Sequence, residues 1–301
     1  MNTYTLKPKD WFIATRPWSF VVTALPTLFT VLFVLVDAPE YSSRWPLGVL
    51  AVIGSVFFQA GGNLISDYYD FKNGIDKPGS VVGTDIITSG RFTPKQIQTF
   101  GRIITTLGVI IGLYLTSQSG LPLLWIGLFG TLGTVYYRKF KAIAMGDLLI
   151  FLVYGPTIMM GTYFTMTQHF SGTLLFISIH FALITVNVLH ANNLRDIEND
   201  TSAGIKTFAS ILGVKNSIVY YNLLTYLSYV IVIISVIFKQ LPIWSLISLA
   251  TLPIAFKNTK LVDQATETDK TTIKDLDKMT ANLQLFVSGA LILSMLLSMI
   301  F

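Results

Sequence analysis

The sequence predicts an all-α, polytopic membrane protein, a single-domain bundle of nine transmembrane helices over residues 1–301. Three observations carry that expectation. Hydrophobic residues make up 52% of the chain and charged residues only 12%, against roughly a quarter charged in soluble domains. Apolar runs of about 20 residues, the length that crosses a bilayer, recur along the whole chain. The basic residues also fall on one side of the layout that those runs define.

The runs lie at roughly 17–37, 46–66, 99–117, 121–137, 147–167, 172–192, 217–238, 241–256 and 282–301. The eighth is short and carries Pro253. Cytoplasmic loops of membrane proteins carry excess Lys and Arg. With nine spans and the N-terminus inside, every one of the 21 basic residues except Arg44 and Lys239 falls on the cytoplasmic side. The expectation is a multi-pass protein of the cell membrane with its C-terminus outside and its working face cytoplasmic. No signal peptide is expected, because Lys7, Lys9, Asp10 and Arg16 precede the first apolar run and no small-residue cleavage site follows it. The segment 257–281, rich in Lys, Asp and Thr without an apolar stripe, reads as a solvated connector with little chemistry.

Composition also removes several function classes. Without cysteine there is no thiolate metal site, disulfide or cysteine nucleophile. His169, His180 and His190 share no HxxxH spacing, so a histidine zinc site is not expected, and His190 reads as a packed, hydrogen-bonded core residue. The net charge of +5 is distributed between apolar spans rather than over one soluble face, so nucleic acid is not the expected partner.

Two acidic clusters stand at the ends of apolar runs, within Asp-rich cytoplasmic loops at about 63–98 and 192–216. In the first, Asn63, Asp67 and Asp70 stand at i, i+4 and i+7 and share a helix face. In the second, Asn192, Asp196 and Asp200 stand at i, i+4 and i+8, with Asn193 three residues before Asp196. Each is followed by a Gly-Ile step, Gly74-Ile75 and Gly204-Ile205. Either cluster alone reads equally well as a solvated helix end. Two matching clusters on one membrane face do not, because a carboxylate near hydrocarbon costs a few kcal/mol or more. Carboxylates without His or Cys are hard oxygen ligands suited to Mg²⁺, which takes one or two from protein and fills its other positions with water and phosphate. Arg91, Lys141, Arg195 and Lys206 lie close in sequence and are candidates to neutralise phosphate oxygens; the plainer reading of each is a topological anchor.

The paired clusters, three apolar spans apart and followed by Lys206-Thr207, resemble the UbiA-type superfamily of intramembrane aromatic prenyltransferases. Within it the chain looks most like the 1,4-dihydroxy-2-naphthoate polyprenyltransferases of menaquinone synthesis (MenA). The residues that carry this are Thr15-Arg16-Pro17-Trp18-Ser19-Phe20 with Pro26, Asn63 with Asp67-Tyr68-Tyr69-Asp70, Thr88-Ser89-Gly90-Arg91, and Asn192-Asn193-Leu194-Arg195-Asp196. The resemblance implies a nine-helix bundle in which Asp67, Asp70, Asp196 and Asp200 are catalytic Mg²⁺-diphosphate ligands, supported by Asn63 and Asn193. The chain departs from the family pattern at Ser66, where an Asn is common, and at Asp76, to which the third acid is displaced.

The implied reaction moves a polyprenyl chain from an allylic diphosphate to dihydroxynaphthoate, with loss of CO₂ and diphosphate, to give demethylmenaquinone. The partners are then the polyprenyl diphosphate, the aromatic acceptor and membrane lipid. Tyr68, Tyr69, Tyr136, Tyr137 and Tyr154 are candidates by position to stabilise an allylic cation, and Arg16, Arg138, Lys139 or Lys141 to meet the acceptor's carboxylate. Another acceptor (4-hydroxybenzoate, homogentisate, haem or a chlorophyllide) is the nearest alternative. A cation-coupled transporter is a second, disfavoured because both clusters lie toward one face rather than at the midplane.

Overall fold

Hydrocarbon offers a backbone no water to bond, so apolar runs of this length satisfy their own N–H and C=O groups as helices. The computed structural model describes residues 6–72, 74, 86–202 and 204–301. In chain order these form α1 (Pro8–Ala14), a 3₁₀ turn (Pro17–Phe20) leading into α2 (Val21–Asp37), a second 3₁₀ turn (Pro39–Arg44) and α3 (Trp45–Lys72). Then come α4 (Pro94–Ser119), α5 (Leu121–Lys141), α6 (Gly146–Leu152), a π turn (Val153–Thr157), α7 (Ile158–Thr167) and α8 (Gly172–Arg195). The chain ends with α9 (Ile197–Ser202), α10 (Phe208–Ile237), a 3₁₀ segment (Ile243–Thr251), α11 (Leu252–Val262) and α12 (Leu276–Ser298). Among the described residues the only β feature is an isolated bridge between Ile143 and Lys206.

Among the described residues seven helices are long and apolar enough to cross a membrane, so the chain is a multi-pass membrane protein. The expected count of nine is not met by helices of that kind. The apolar part of α5, Leu121–Tyr137, is shorter, and the eighth expected span, 241–256, is not one α-helix. There Pro253 sits in the first turn of α11; a proline has no N–H to give and its ring clashes with the preceding turn. Ahead of it the chain winds as nine residues of 3₁₀ helix. Residues three apart eclipse in that winding, which puts Ser245, Ser248 and Thr251 together on one buried face. Ser245 bonds Ser294 of α12 at 3.0 Å, and Thr251 bonds Tyr229 of α10 at 2.6 Å. Further on, Thr259 bonds Tyr226 at 2.9 Å and Asp263 accepts from Asn222 at 2.8 Å. These partners step backwards along α10, so the 3₁₀ segment and α11 run antiparallel to it, from the end of α10 to its beginning.

Helix α8 is central, packing against α10, α12, α6 and the π turn. The largest apolar core joins Phe29 and Phe33 of α2, Met159 and Tyr163 of α7, Phe181 of α8 and Met295 of α12. At the end of the bundle away from the acidic clusters, Arg44 donates to the carbonyls of Gln118 (2.9 Å) and Thr165 (3.2 Å) and to Ser119 Oγ (3.2 Å). One cation thereby caps the negative C-terminal ends of α4 and α7.

The segment 257–281 departs from the expected solvated connector. Ala265, Ile273 and Leu276 are buried with Val262, Ala191, Leu194, Val214 and Tyr221. Lys270 pairs with Glu198 of α9 at 2.8 Å, which draws the Glu198 carboxyl below its ordinary pKa. Glu267 accepts from the backbone N–H of Val214 at 3.3 Å. The segment is a strap tied over the second acidic cluster. It escaped the sequence reading because its few apolar residues lack a helical period, although each fills a specific gap.

The π turn depends on close approach. A Cβ at Gly155 would lie 2.5 Å from Ala182 Cβ and 2.8 Å from the Ser178 carbonyl, so only glycine lets α8 pack there. Gly155→Val is expected to lower stability by about 1–3 kcal/mol, the cost of overpacking a filled interior, read as a fall in thermal unfolding temperature in detergent.

Candidate active site

The last two turns of α3 carry the first cluster. Asp67 is 1% exposed and forms an ion pair with Arg16. Arg16 precedes Pro17 and has φ of 56°, the left-handed region. That conformation is uncommon for a residue with a side chain, and such strain collects at functional sites. Asn63 holds the same turn in place, donating to the Thr15 carbonyl (2.9 Å) and to Ser19 Oγ (2.8 Å). Gln59, one turn earlier, donates to Asn63 Oδ1 at 3.4 Å and accepts from the Tyr154 hydroxyl at 2.9 Å. Ser66 takes up a role that the sequence left open: its hydroxyl donates to Asp70 Oδ2 at 3.2 Å. Asp76 lies outside the described residues. Arg91 is exposed and faces Asp10 of α1 at 3.9 Å.

The second cluster straddles the junction of α8 and α9. The Asp196 N–H donates to the Asn192 carbonyl (3.1 Å) and the Asp200 N–H to the Asp196 carbonyl (2.9 Å), so the spacing read from the sequence survives the junction. Arg195 turns back onto its own cluster, bonding Asp196 through Nε (2.9 Å) and Nη2 (2.8 Å) and reaching the Asn192 side chain. Its Nη1 also meets Asp277 of α12 at 2.9 Å. Lys141 Nζ lies 3.3 Å from Asp200 Oδ1. Burial pushes the Asp200 pKa up, and the Lys141 charge opposes that. Lys206 is exposed, and its backbone bridges to Ile143.

Helix α5 joins the two clusters. Tyr137 and Lys141 stand at i and i+4 and so share a face; Lys141 reaches Asp200, while Tyr137 lines a cavity shared with the first cluster. That cavity, of about 640 Å³, lies between α3, α4, α5 and α6–α7. Its charged, amide and phenol groups come from Arg16, Gln59, Asn63, Tyr137 and Tyr154; Ser66 and other Ser and Thr hydroxyls are interspersed among aliphatic and small side chains over the remainder. Of the five tyrosines that the sequence offered, the fold places Tyr137 and Tyr154 on the cavity. Tyr69 and Tyr136 are largely exposed, and Tyr68 packs with the α1 core.

Asp147 was not foreseen. It begins α6, is 6% exposed, and lies 3.5 Å from Nδ1 of the fully buried His190, whose Nε2 meets the Ser217 carbonyl at 3.2 Å. An acid opening an apolar run was the available signal, but a single carboxylate there reads as a helix N-terminal residue.

Among the described residues no three His, Cys, Asp or Glu side chains gather as a metal site; Asp67, Asp196 and Asp200 instead meet cations. The donor set nonetheless suits a hard divalent ion. Asp200 Oδ2 and Asn193 Oδ1 are buried oxygens with no hydrogen-bond partner among the described residues, and such acceptors are costly to leave unpaired.

Comparison with known proteins agrees with this geometry. Residues 27–283 match the model of the UbiA prenyltransferase family. The UbiA prenyltransferase domain-containing protein 1 of Rattus norvegicus is 33% identical over 265 residues, covering 85% of this chain and 75% of the relative. That of Dictyostelium discoideum is 30% identical over 301 residues, covering 95% and 87%. Among solved structures, the apo form of a UbiA homolog from Aeropyrum pernix K1 superposes with a TM-score of 0.70 at 13% identity, covering 92% of this chain and 98% of that one. A UbiA homolog from Archaeoglobus fulgidus, bound to GPP and Mg²⁺, gives 0.61 at 14%, covering 94% and 99%. A family match across most of the chain, joined to relatives 30% and 33% identical over most of both lengths, has one conclusion: the chain belongs to the UbiA prenyltransferase family.

Proposed function

We propose that the protein transfers a polyprenyl chain from an allylic diphosphate to 1,4-dihydroxy-2-naphthoate, with loss of CO₂ and diphosphate, giving demethylmenaquinone on the cytoplasmic side of the cell membrane. The observation that carries the reading is the cavity's polarity gradient. One end is set with Arg16, Asn63 and Ser66 beside the first carboxylate cluster, and the remainder is uncharged, made of aliphatic, small and hydroxyl side chains. That suits a molecule with a diphosphate head and a hydrocarbon tail. The GPP and Mg²⁺ held by the Archaeoglobus homolog support the same class of ligand.

In this reading Asp67, Asp70, Asp196 and Asp200 hold Mg²⁺, with Asn63 and Asn193 beside them. When bound, the ion offsets the charge that builds on the departing diphosphate. Arg16 and Lys141 already sit on Asp67 and Asp200 and are cations suited to phosphate oxygens; Arg91 and Lys206 complete the basic rim, while Arg195 rests on Asp196 and Asp277. Tyr137 and Tyr154 line the cavity and supply the ring faces whose cation–π contact would steady the allylic cation. The aliphatic walls keep out water that would quench it. At the naphthoate carbon, loss of CO₂ restores aromaticity without a strong protein base. A different aromatic acceptor on the same machinery is the second reading, favoured by relatives named for the family domain rather than for dihydroxynaphthoate.

Membranes containing the protein, given Mg²⁺, a polyprenyl diphosphate and dihydroxynaphthoate, are expected to release diphosphate and CO₂ in equal amounts. Prenylation of 4-hydroxybenzoate with dihydroxynaphthoate untouched would overturn the acceptor assignment. Transport across sealed vesicles without diphosphate release would overturn the enzyme. Asp67→Asn and Asp196→Asn are expected to lower kcat by about 100-fold or more, the scale for losing a group that stabilises transition-state charge, with unchanged membrane insertion. Tyr137→Leu should lower kcat by roughly 3- to 30-fold, matching a cation–π contribution of about 0.5–2 kcal/mol, while Tyr137→Phe keeps most of the rate.

A further inference from the structure

Arg195 is unusual among the basic residues of the site in holding both oxygens of one carboxylate while meeting a second carboxylate. It engages Asp196 through Oδ1 at 2.9 Å and Oδ2 at 2.8 Å. Its remaining terminal nitrogen, Nη1, lies 2.9 Å from Asp277 Oδ2. The three side chains are 19%, 14% and 25% exposed respectively, so water screens them little. A guanidinium fork on both oxygens takes the carboxylate's two syn lone pairs, the pair that chelates a metal, and leaves only the outward anti pairs. Asp196 therefore chelates a divalent cation through its syn lone pairs only when Arg195 turns away, and a guanidinium released beside that cation is left without its anion.

Asp277 is placed to replace that anion. Its Oδ1 is buried with no hydrogen-bond partner among the described residues, while its Oδ2 already touches Arg195. It stands in the first turn of α12, immediately after the strap whose Ile273 and Leu276 are anchored in the core beside Leu194, so it is held rigidly against the α8 terminus. For a guanidinium fork that pivots about the existing Oδ2 contact, Oδ1 of the same carboxylate is the second acceptor. No other carboxylate pairs with Arg195 among the described residues.

We propose that Asp277 is a positioning residue for the second acidic cluster: it takes Arg195 from Asp196 and so opens Asp196 to a divalent cation. The proposal rests on the reading of Asp196 as a metal ligand. It assigns the strap and the start of α12 a part in metal loading.

The test uses the full chain in nanodiscs, with Mn²⁺ as probe and saturating geranyl thiolodiphosphate, an unreactive allylic diphosphate; protein-bound manganese is measured by equilibrium dialysis. Asp277→Asn is expected to raise the half-saturating Mn²⁺ concentration by about 10- to 100-fold, the usual effect of losing an outer-sphere partner. Asp277→Glu should restore it, and the metal-free unfolding temperature of Asp277→Asn reports whether the fold is intact. In an Arg195→Gln background Asp277→Asn should change nothing further, because the competitor is gone. Unchanged Mn²⁺ binding in a folded Asp277→Asn protein would overturn the proposal. So would an equal penalty in both backgrounds, which would mark Asp277 as a distant charge acting without Arg195. Asp196→Asn separates the layers: full Mn²⁺ binding in that variant would overturn the metal reading itself, and this proposal with it.

Discussion

The structure turns on the cost of keeping carboxylates at the ends of helices that cross hydrocarbon. Asp67 and Asp200 are buried and Asp196 nearly so. Each is matched by a cation from another part of the chain or from its own turn: Arg16, Lys141 and Arg195. An uncompensated buried charge costs far more than a paired one yields. The short elements at this end of the bundle are arranged accordingly. The left-handed Arg16 before Pro17, the return of α5 toward α9, and the strap across α8 each bring a charged side chain to a place the long helices cannot supply.

The same pairs explain how a site of this kind is poised. Cations resting on carboxylates keep the clusters from repelling each other, and those cations are the groups that suit phosphate oxygens. The cavity adds the other half of the chemistry. Its polar end is built from Arg16 ahead of α2, from α3, from Tyr137 of α5 and from the π turn, its uncharged length from α4, the rest of α5, and α7. The π turn at Val153–Thr157 sets Tyr154 over Gln59. π turns recur at functional sites because one extra residue per turn redirects a side chain; here Pro156, which cannot donate to the ladder, accompanies it.

Much of this was legible in the residues. Seven of the expected spans appear as long apolar helices, because hydrocarbon leaves a backbone no alternative. The periodic acids stayed on helical turns, since i, i+4 geometry is local. His190 is the packed, hydrogen-bonded residue that its surroundings in the sequence suggested. What escaped was non-local. Asp147 looked like an ordinary helix start until α8 brought His190 to it. The strap looked like solvated chain until Ile273 and Leu276 found a gap between α8 and α10.

The sequence by itself determined that the chain is a helical membrane bundle with two acidic turns, because hydrophobic length and helical period are local properties of the residues. Only the tertiary structure decided which cation meets which carboxylate, which two of five tyrosines line the cavity, and that α12 supplies Asp277 to Arg195. Those choices join residues 50 to 80 or more positions apart, and they are set by packing and charge balance in three dimensions, which no local pattern encodes.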